Sequence, residues 1–389
     1  MSYTIPAVIL QSSGPNAVGM VRGLARQGVP VIATDHSPNA LAMNSRYPSN
    51  EILPDPLSES ERFVEELLAL GRRVGSRPVL FATHDEAIAA IAAREDEVRE
   101  VFRVPWSTWD TMQITIDKSG QHDAAKRIGF PVPGTVDPEP HDDPVAAVAA
   151  AGIRYPVVLK PRYAPEFKRV FGKQVLQAKS AEELAAVWAE AAPFGPQVQE
   201  VIPGGDDCYW TLGSYRSADM TVRASFTGRK LLQWPPGFGT ARAAEAHWDP
   251  DFAARCHALL DELKFHGISQ VEVKRDPRDG KDYLIEVNPR SWMWNSLATH
   301  VGVNLTLACY LDAIDDPRTW TPGHRSNVRW VNGFKHVTAS ILEIRRRNLS
   351  AKTFLSTVRP PLIDGVFDIH DPKPAFAQYG KLVRRFRKR

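Results

Sequence analysis

Between Ser269 and Arg290 the chain reads SQVEVKRDPRDGKDYLIEVNPR, two alternating runs joined by a Pro/Arg/Asp/Gly stretch. Period-two alternation on both sides of such a turn predicts a β-hairpin. Val271 and Val273 alternate with Gln270, Glu272 and Lys274, and Tyr283, Ile285 and Val287 alternate with Leu284, Glu286 and Asn288. With a loop over Pro277 to Lys281, Glu272 faces Glu286, and Asn288 lies on the same face two residues on. Two carboxylates directly opposite each other repel. Either a cation sits between them, or both acids lie on a solvated sheet edge. Two glutamates and an amide oxygen form a hard-oxygen set that suits Mg²⁺ when phosphates complete the shell.

The chain has 389 residues, enough for two to three domains. Its hydrophobic content of 43% and charged content of 24% are those of an ordinary globular protein. A net charge of +3 is too small to imply a nucleic-acid partner, and none is expected. Cys208, Cys256 and Cys309 match no metal or redox spacing and fit a reducing compartment. Met1 to Ser13 lacks the basic start and apolar core of a signal peptide. No apolar run approaches the roughly 20 residues of a membrane-spanning helix. The expected location is the cytoplasm.

The first third alternates strand and helix. Ala7 to Gln11, Val29 to Thr34 and Val79 to Ala82 read as buried strands, and Glu59 to Arg72 as an amphipathic helix. This order predicts a parallel, doubly wound sheet. The loop SSGPNAVG after the first strand lacks the G-x-G-x-x-G of a dinucleotide site, which argues against an NAD-type oxidoreductase. Thr83, His84 and Asp85 follow a strand, where open α/β sheets bind ligands. The preferred reading is that Thr83 or Asp85 caps the next helix.

Further on, a helix starts at Asp117-Lys118 and ends near Gly129, before two prolines. YPVVLKP is a buried strand ending in Lys160, and a lysine there needs a partner or an anion. Ser180, with Glu183 three residues on, opens another helix with a capping-box pattern. QVQEVIPGGDD is a strand stopped by Pro-Gly-Gly. Taken in order, Asp117-Lys118, YPVVLKP, QEVIPGGDD and VEVKRD…DYLIEVNPR resemble the ATP-grasp superfamily of ATP-dependent carboxylate–amine and carboxylate–thiol ligases. The likeness spans about Ala7 to Asp315. The segment FTGRKLLQWPPGFGTAR, Phe226 to Arg242, looks most like the D-aspartate-ligase-type branch, whose members join an amino acid to a carboxylate on a larger acceptor.

The resemblance implies an α/β chain with the ATP-grasp fold: an N-terminal Rossmann-like parallel sheet domain, a small α+β lid subdomain and a larger antiparallel-sheet catalytic subdomain. The expected boundaries are 1–113 for the first domain, 114–318 for the ATP-grasp domain with its lid at about 155–203, and 319–389 for a C-terminal extension. It also implies ATP and one or two Mg²⁺ ions, with Mn²⁺ as an alternative. Lys118 and Lys160 would hold the phosphates, with Lys160 also catalytic. Gln199, Glu200 and the backbone around Ile202 would meet the adenine edge. Asp206, or Asp207, would bond the ribose hydroxyls. Glu272, Glu286 and Asn288 would hold the metal, and Arg290 would be catalytic on the transferred phosphate or the acyl phosphate. One segment departs from the family: YAPEFKRVFGK stands where many members carry a glycine-rich phosphate loop, with Lys173 as its candidate contact.

The implied reaction is activation of a carboxylate as an acyl phosphate and its capture by an amino-acid-like amine, with release of ADP and phosphate. The alternative is a catalytically silent ATP-binding regulatory or scaffold module of the same fold. Arg229, Lys230 and Arg242 are candidates for a substrate carboxylate, since arginine forks match that geometry. Family likeness suggests a cell-wall or polysaccharide precursor as acceptor and a homodimer. The sequence closes on KLVRRFRKR, where six of nine residues are Lys or Arg. A solvated end is the preferred reading, ahead of a weak peripheral contact with anionic lipid.

Overall fold

The computed structural model describes residues 3–160, 167, 170–172, 175–237, 239–318 and 324–387, with side chains described as far as 380. The chain forms two units. The larger comprises Met1–Ile128, Gly205–Val273 and Glu286–Arg389, and the smaller Gly129–Gly204 with Lys274–Ile285. No helix among the described residues is long and apolar enough to cross a membrane.

The larger unit opens with four short parallel strands: β1 (Ala7–Leu10), β2 (Val31–Asp35), β3 (Ser49–Ile52) and β4 (Val79–Ala82), in the order β3-β2-β1-β4. β1 and β4 are continuous apolar runs and β2 adds Thr34 and Asp35 at its end; all three are buried along their length, as parallel strands covered on both faces are. β3, Ser-Asn-Glu-Ile, is mostly exposed and carries no hydrophobic pattern, so sequence periodicity does not reveal it. The order reverses between β1 and β4, which makes their carboxyl ends the switch point of this sheet.

The smaller unit holds β5 (Thr135–Val136), β6 (Val157–Lys160), β7 (Leu176–Ala178) and β8 (Gln197–Glu200) as an antiparallel sheet, order β5-β8-β6-β7. Its own core contains Val157, Leu159, Phe167, Leu184, Trp188 and Val198. The helix Ala181–Ala191 begins as the sequence predicts, with Ser180 Oγ accepting from Glu183 N at 3.3 Å.

A seven-stranded sheet follows: β9 (Tyr209–Arg216), β10 (Val222–Trp234), β11 (Thr240–Ala246), β12 (Gly267–Arg275), β13 (Asp282–Asn288), β14 (Arg329–Val331) and β15 (Leu362–Asp364). The spatial order is β13-β12-β9-β10-β11-β14-β15. Trp292 and Trp294 are core residues here, packed on Phe226. Gly213 is needed for this: a Cβ there would lie 2.0 Å from the Trp292 ring. The apolar stretch from Leu297 to Leu311 holds two helices, Asn295–His300 and Leu305–Ala313. Gly302 sits between them at φ 99°, and the Asn304 side chain accepts from Leu307 N to start the second.

Residues beyond 324 are tied into the larger unit. Arg22 donates to the Asp371 carboxylate at 3.0 Å and to the Val366 and Asp371 carbonyls. The helix Gly333–Arg345 supplies Glu343, Ser340 and the His336 carbonyl to the fully buried Arg242 guanidinium. Burial, then the nearby Arg242 charge, lowers His336 to a pKa of about 4. Its folded value lies below the ordinary 6.5, so between those two values the unfolded chain binds the extra proton. This contribution is complete above pH 6.5 and is lost as pH falls toward 4. Urea unfolding at pH 7 and pH 4.5 should show a loss of up to about 3 kcal/mol from this residue. His336→Gln should flatten that part of the profile, and an unchanged profile would remove His336 as its source.

Candidate functional site

In the larger unit the predicted metal residues are assembled from both strands of the hairpin. Glu272 projects from β12, and Glu286 and Asn288 from one face of β13. Asn288 Nδ2 donates to Glu286 Oε1 at 3.0 Å and to Gln270 Oε1 at 3.2 Å, linking the two strands. β13 lies at the edge of its sheet, and a side chain supplies a ladder partner. Gln121 Nε2 donates to Val287 O at 2.9 Å, and Val287 N donates to Gln121 Oε1 at 2.8 Å. Gln121 belongs to the helix Lys118–Arg127, whose first turn is capped by Asp117 through Gly120 N. This clamp brings Lys118 near both glutamates, and its charge acts on each.

The two carboxylates differ. Burial pushes the Glu272 carboxyl up, and the Glu286 charge adds to this; Lys230 and Lys118 oppose the rise without cancelling it. Burial also pushes Glu286 up, but Lys118, the Asn288 amide, Lys230 and Arg290 outweigh it and hold that carboxyl below its ordinary value. The buried Lys230 ammonium donates to Glu272 Oε1 at 2.8 Å and lies 4.7 Å from the Tyr209 ring centroid. The buried Glu272, the half-buried Glu286 and an amide oxygen, with Lys118, Lys230 and Arg290 nearby, fit a divalent cation carrying phosphates. Among the described residues no group of three or more His, Cys, Asp or Glu is placed to hold a metal ion. An Mg²⁺ ion bound here would therefore rely on phosphate oxygens or water to complete its shell.

Arg290 is held in a bidentate fork by Asp85, at 2.8 and 3.1 Å, and also donates to Asn288 Oδ1 at 3.1 Å. Asp85 does not cap the helix Asp85–Ile91, and neither does Thr83. His84 is the N-cap residue and makes no side-chain cap bond, while Thr83 Oγ1 donates to the carbonyls of Leu10 and Gln11. Asp85 lies just beyond the carboxyl end of β4, so the pair ties the switch point of the parallel sheet to the Glu286 face. Sequence reading missed this partnership because the two residues are 205 positions apart.

Other expected contacts fall elsewhere. Arg242 lies wholly in the interior against Glu343, because its sheet strand is covered by the helix Gly333–Arg345. Arg229 pairs with Glu245 at 3.1 Å, and Arg329 shares that carboxylate at 3.0 Å. Lys230 is drawn to Glu272. The Asp206 carboxylate accepts from Gln233 N, Gln233 Nε2 and Gly237 N at 2.9, 2.8 and 3.3 Å, so it fastens the β10–β11 turn; Asp207 is exposed.

In the smaller unit Lys160 Nζ donates to Gln199 Oε1, and Gln199 Nε2 donates to Thr135 Oγ1 at 3.1 Å. Glu200, the next residue along β8, points to the opposite face. Its buried carboxylate is paired with Arg154 and Arg278, both at 3.0 Å. Gln199 and Glu200 therefore do not present one common edge. Ile202 is buried. The hairpin turn is Pro277–Gly280, one residue shorter than expected, closed by Asp276 N donating to Lys281 O at 2.9 Å. Lys173 lies outside the described residues.

No family model matches the chain. It is 24% identical over 313 residues to a D-aspartate ligase of Enterococcus faecium (strain Aus0004), covering 76% of this chain and 74% of that one. Its fold is similar to that of an N5-carboxyaminoimidazole ribonucleotide synthetase solved with ADP. The TM-score is 0.63 at 15% identity, over 88% of this chain and 86% of the other. An L-amino acid ligase from Bacillus licheniformis superposes with a TM-score of 0.56 at 14% identity, over 79% and 74% of the two chains. The chain has the ATP-grasp fold. The parallel sheet, the small antiparallel sheet and the seven-stranded sheet are the three sheets anticipated for that fold.

Proposed function

We propose that this ATP-grasp chain is an ATP- and Mg²⁺-dependent ligase that activates a carboxylate as an acyl phosphate and joins it to an amine. The observation that carries the reading is the buried Glu272 beside the half-buried Glu286 and Asn288, with Lys118, Lys230 and Arg290 acting on them. A carboxylate is a poor electrophile; once phosphorylated, its carbonyl accepts an amine and phosphate leaves. Such chemistry needs charge neutralisation more than a side-chain nucleophile. Mg²⁺ held by Glu272, Glu286 and Asn288 would neutralise phosphate charge. Lys118 supplies a cation to the same face. Arg290, pre-oriented by Asp85, supplies a planar fork for the phosphoryl or acyl-phosphate oxygens. Lys230 keeps Glu272 hydrogen-bonded and in place. Lys160 is assigned to the nucleotide phosphates, on family likeness and on its place at the end of β6. The D-aspartate ligase relative makes D-aspartate the first amine to try.

Incubation with ATP, Mg²⁺, pooled amino acids and pooled carboxylates should give ADP and phosphate only when both substrates are present. AMP and pyrophosphate would contradict the acyl-phosphate route, and ATP binding with no turnover under any pool would favour the silent module. The Asp85–Arg290 pair makes a separate prediction. Arg290→Ala should lower kcat roughly 100- to 1,000-fold while ATP affinity stays nearly constant, because its partner charge develops during reaction. Asp85→Asn should lower kcat by a smaller factor, about tenfold, since Arg290 remains but loses its orientation. A change confined to ATP affinity in both variants would place Arg290 on the ground-state nucleotide instead.

A further inference from the structure

The last described helix, Lys373–Arg387, has no role in the proposed reaction. Its opening is fastened to the larger unit: Ala375 is buried, Gln378 Nε2 donates to Asn332 Oδ1 at 3.2 Å, and Tyr379 meets the Phe334 ring edge-on at 4.5 Å. Beside these anchors stand bulky apolar side chains turned to solvent. Phe367 is 50% exposed, Ile369 79% and Phe376 67%. Scattered exposed apolar residues are ordinary, but three within ten positions next to a basic helix are not.

The sequence of the helix is strongly divided. In the sequence, Phe376, Tyr379, Val383 and Phe386 recur at intervals of three and four. Residues 373–389 carry seven Lys or Arg and no Asp or Glu. The whole chain is net +3, so the other 372 residues are net −4, and positive charge is concentrated in this one segment. Nucleic acid would be served by the cations alone, with no reason for exposed phenylalanine and isoleucine beside them. An interfacial membrane helix needs both, apolar side chains for the acyl boundary and cations for anionic headgroups.

We infer that the Lys373–Arg387 helix, with Phe367 and Ile369 leading into it, is a docking surface for an anionic lipid bilayer, independent of the ligase reading. The full chain, mixed with sedimentable vesicles, should pellet with phosphatidylcholine–phosphatidylglycerol and not with phosphatidylcholine alone, and added salt should weaken the binding. Changing Arg384, Arg385, Arg387 and Lys388 together to Gln should lower vesicle affinity several hundred-fold, at about fivefold per cation. Ile369→Ser with Phe376→Ser should lower it about tenfold or more at an unchanged melting temperature, since both side chains are already in water when no vesicle is present. Failure to pellet with anionic vesicles overturns the inference. So does binding that ignores the Ile369/Phe376 change, or equally tight binding to a DNA duplex probe that ignores it, since either leaves only unspecific charge.

Discussion

Glu286→Gln should abolish ligation while leaving the fold intact, with turnover falling about a thousand-fold or more. The substitution keeps the side-chain volume and a hydrogen-bond acceptor for Asn288 Nδ2. It removes one anionic oxygen from the set proposed for Mg²⁺ and leaves Lys118, Lys230 and Arg290 facing Glu272 alone. Burial raises the Glu286 carboxyl, but Lys118 and its other neighbours hold it below its ordinary value. Binding of Mg-nucleotide to the native protein should raise its melting temperature by mass action, and this rise should vanish in the variant. The unliganded variant should melt within a few degrees of the native chain. Full activity, or an undiminished Mg-nucleotide shift, would remove Glu286 from the metal set.

The second large effect concerns stability. Arg242→Ala should cost about 3–5 kcal/mol, because it leaves the Glu343 carboxylate buried without its partner. The guanidinium also satisfies Ser340 and the carbonyls of Gln233 and His336, which lose their donors at the same time. Replacing both members of the pair, Arg242→Met with Glu343→Leu, should recover most of the loss, since neither charge then remains to be desolvated. Chemical denaturation of the three variants measures this directly. A substrate role for Arg242 would instead show as a raised KM in a variant that folds normally, and that outcome would contradict the buried ion pair.

The hairpin, the helix starting at Lys118 and the strands β6 and β8 were legible because each is set by local pattern: alternation, a capping aspartate, a short apolar run. So was the placement of Glu272, Glu286 and Asn288 on one hairpin and of Lys118 at a helix start, since each sits in a short motif. β3 was not legible, since a polar edge strand has no buried face to impose a period. The break at Gly302 is not legible either, because apolar residues continue on both sides of it, while the left-handed glycine and the Asn304 cap interrupt the backbone.

The sequence by itself determined the class of fold and the chemical type of the hairpin face: two acids, an amide and an arginine, on strands of fixed period. It could not determine which cations those acids meet or which charged groups are already taken. Lys230 and Arg242 are twelve residues apart in one basic, glycine-containing segment, and local chemistry treats them alike. Tertiary structure sends the first to Glu272 and the second to Glu343, and ties Arg290 to Asp85 across 205 positions. The physical reason is desolvation. A buried charge is tolerable only where a partner of opposite sign is brought to it, and which partner arrives depends on how helices and strands pack, not on spacing along the chain.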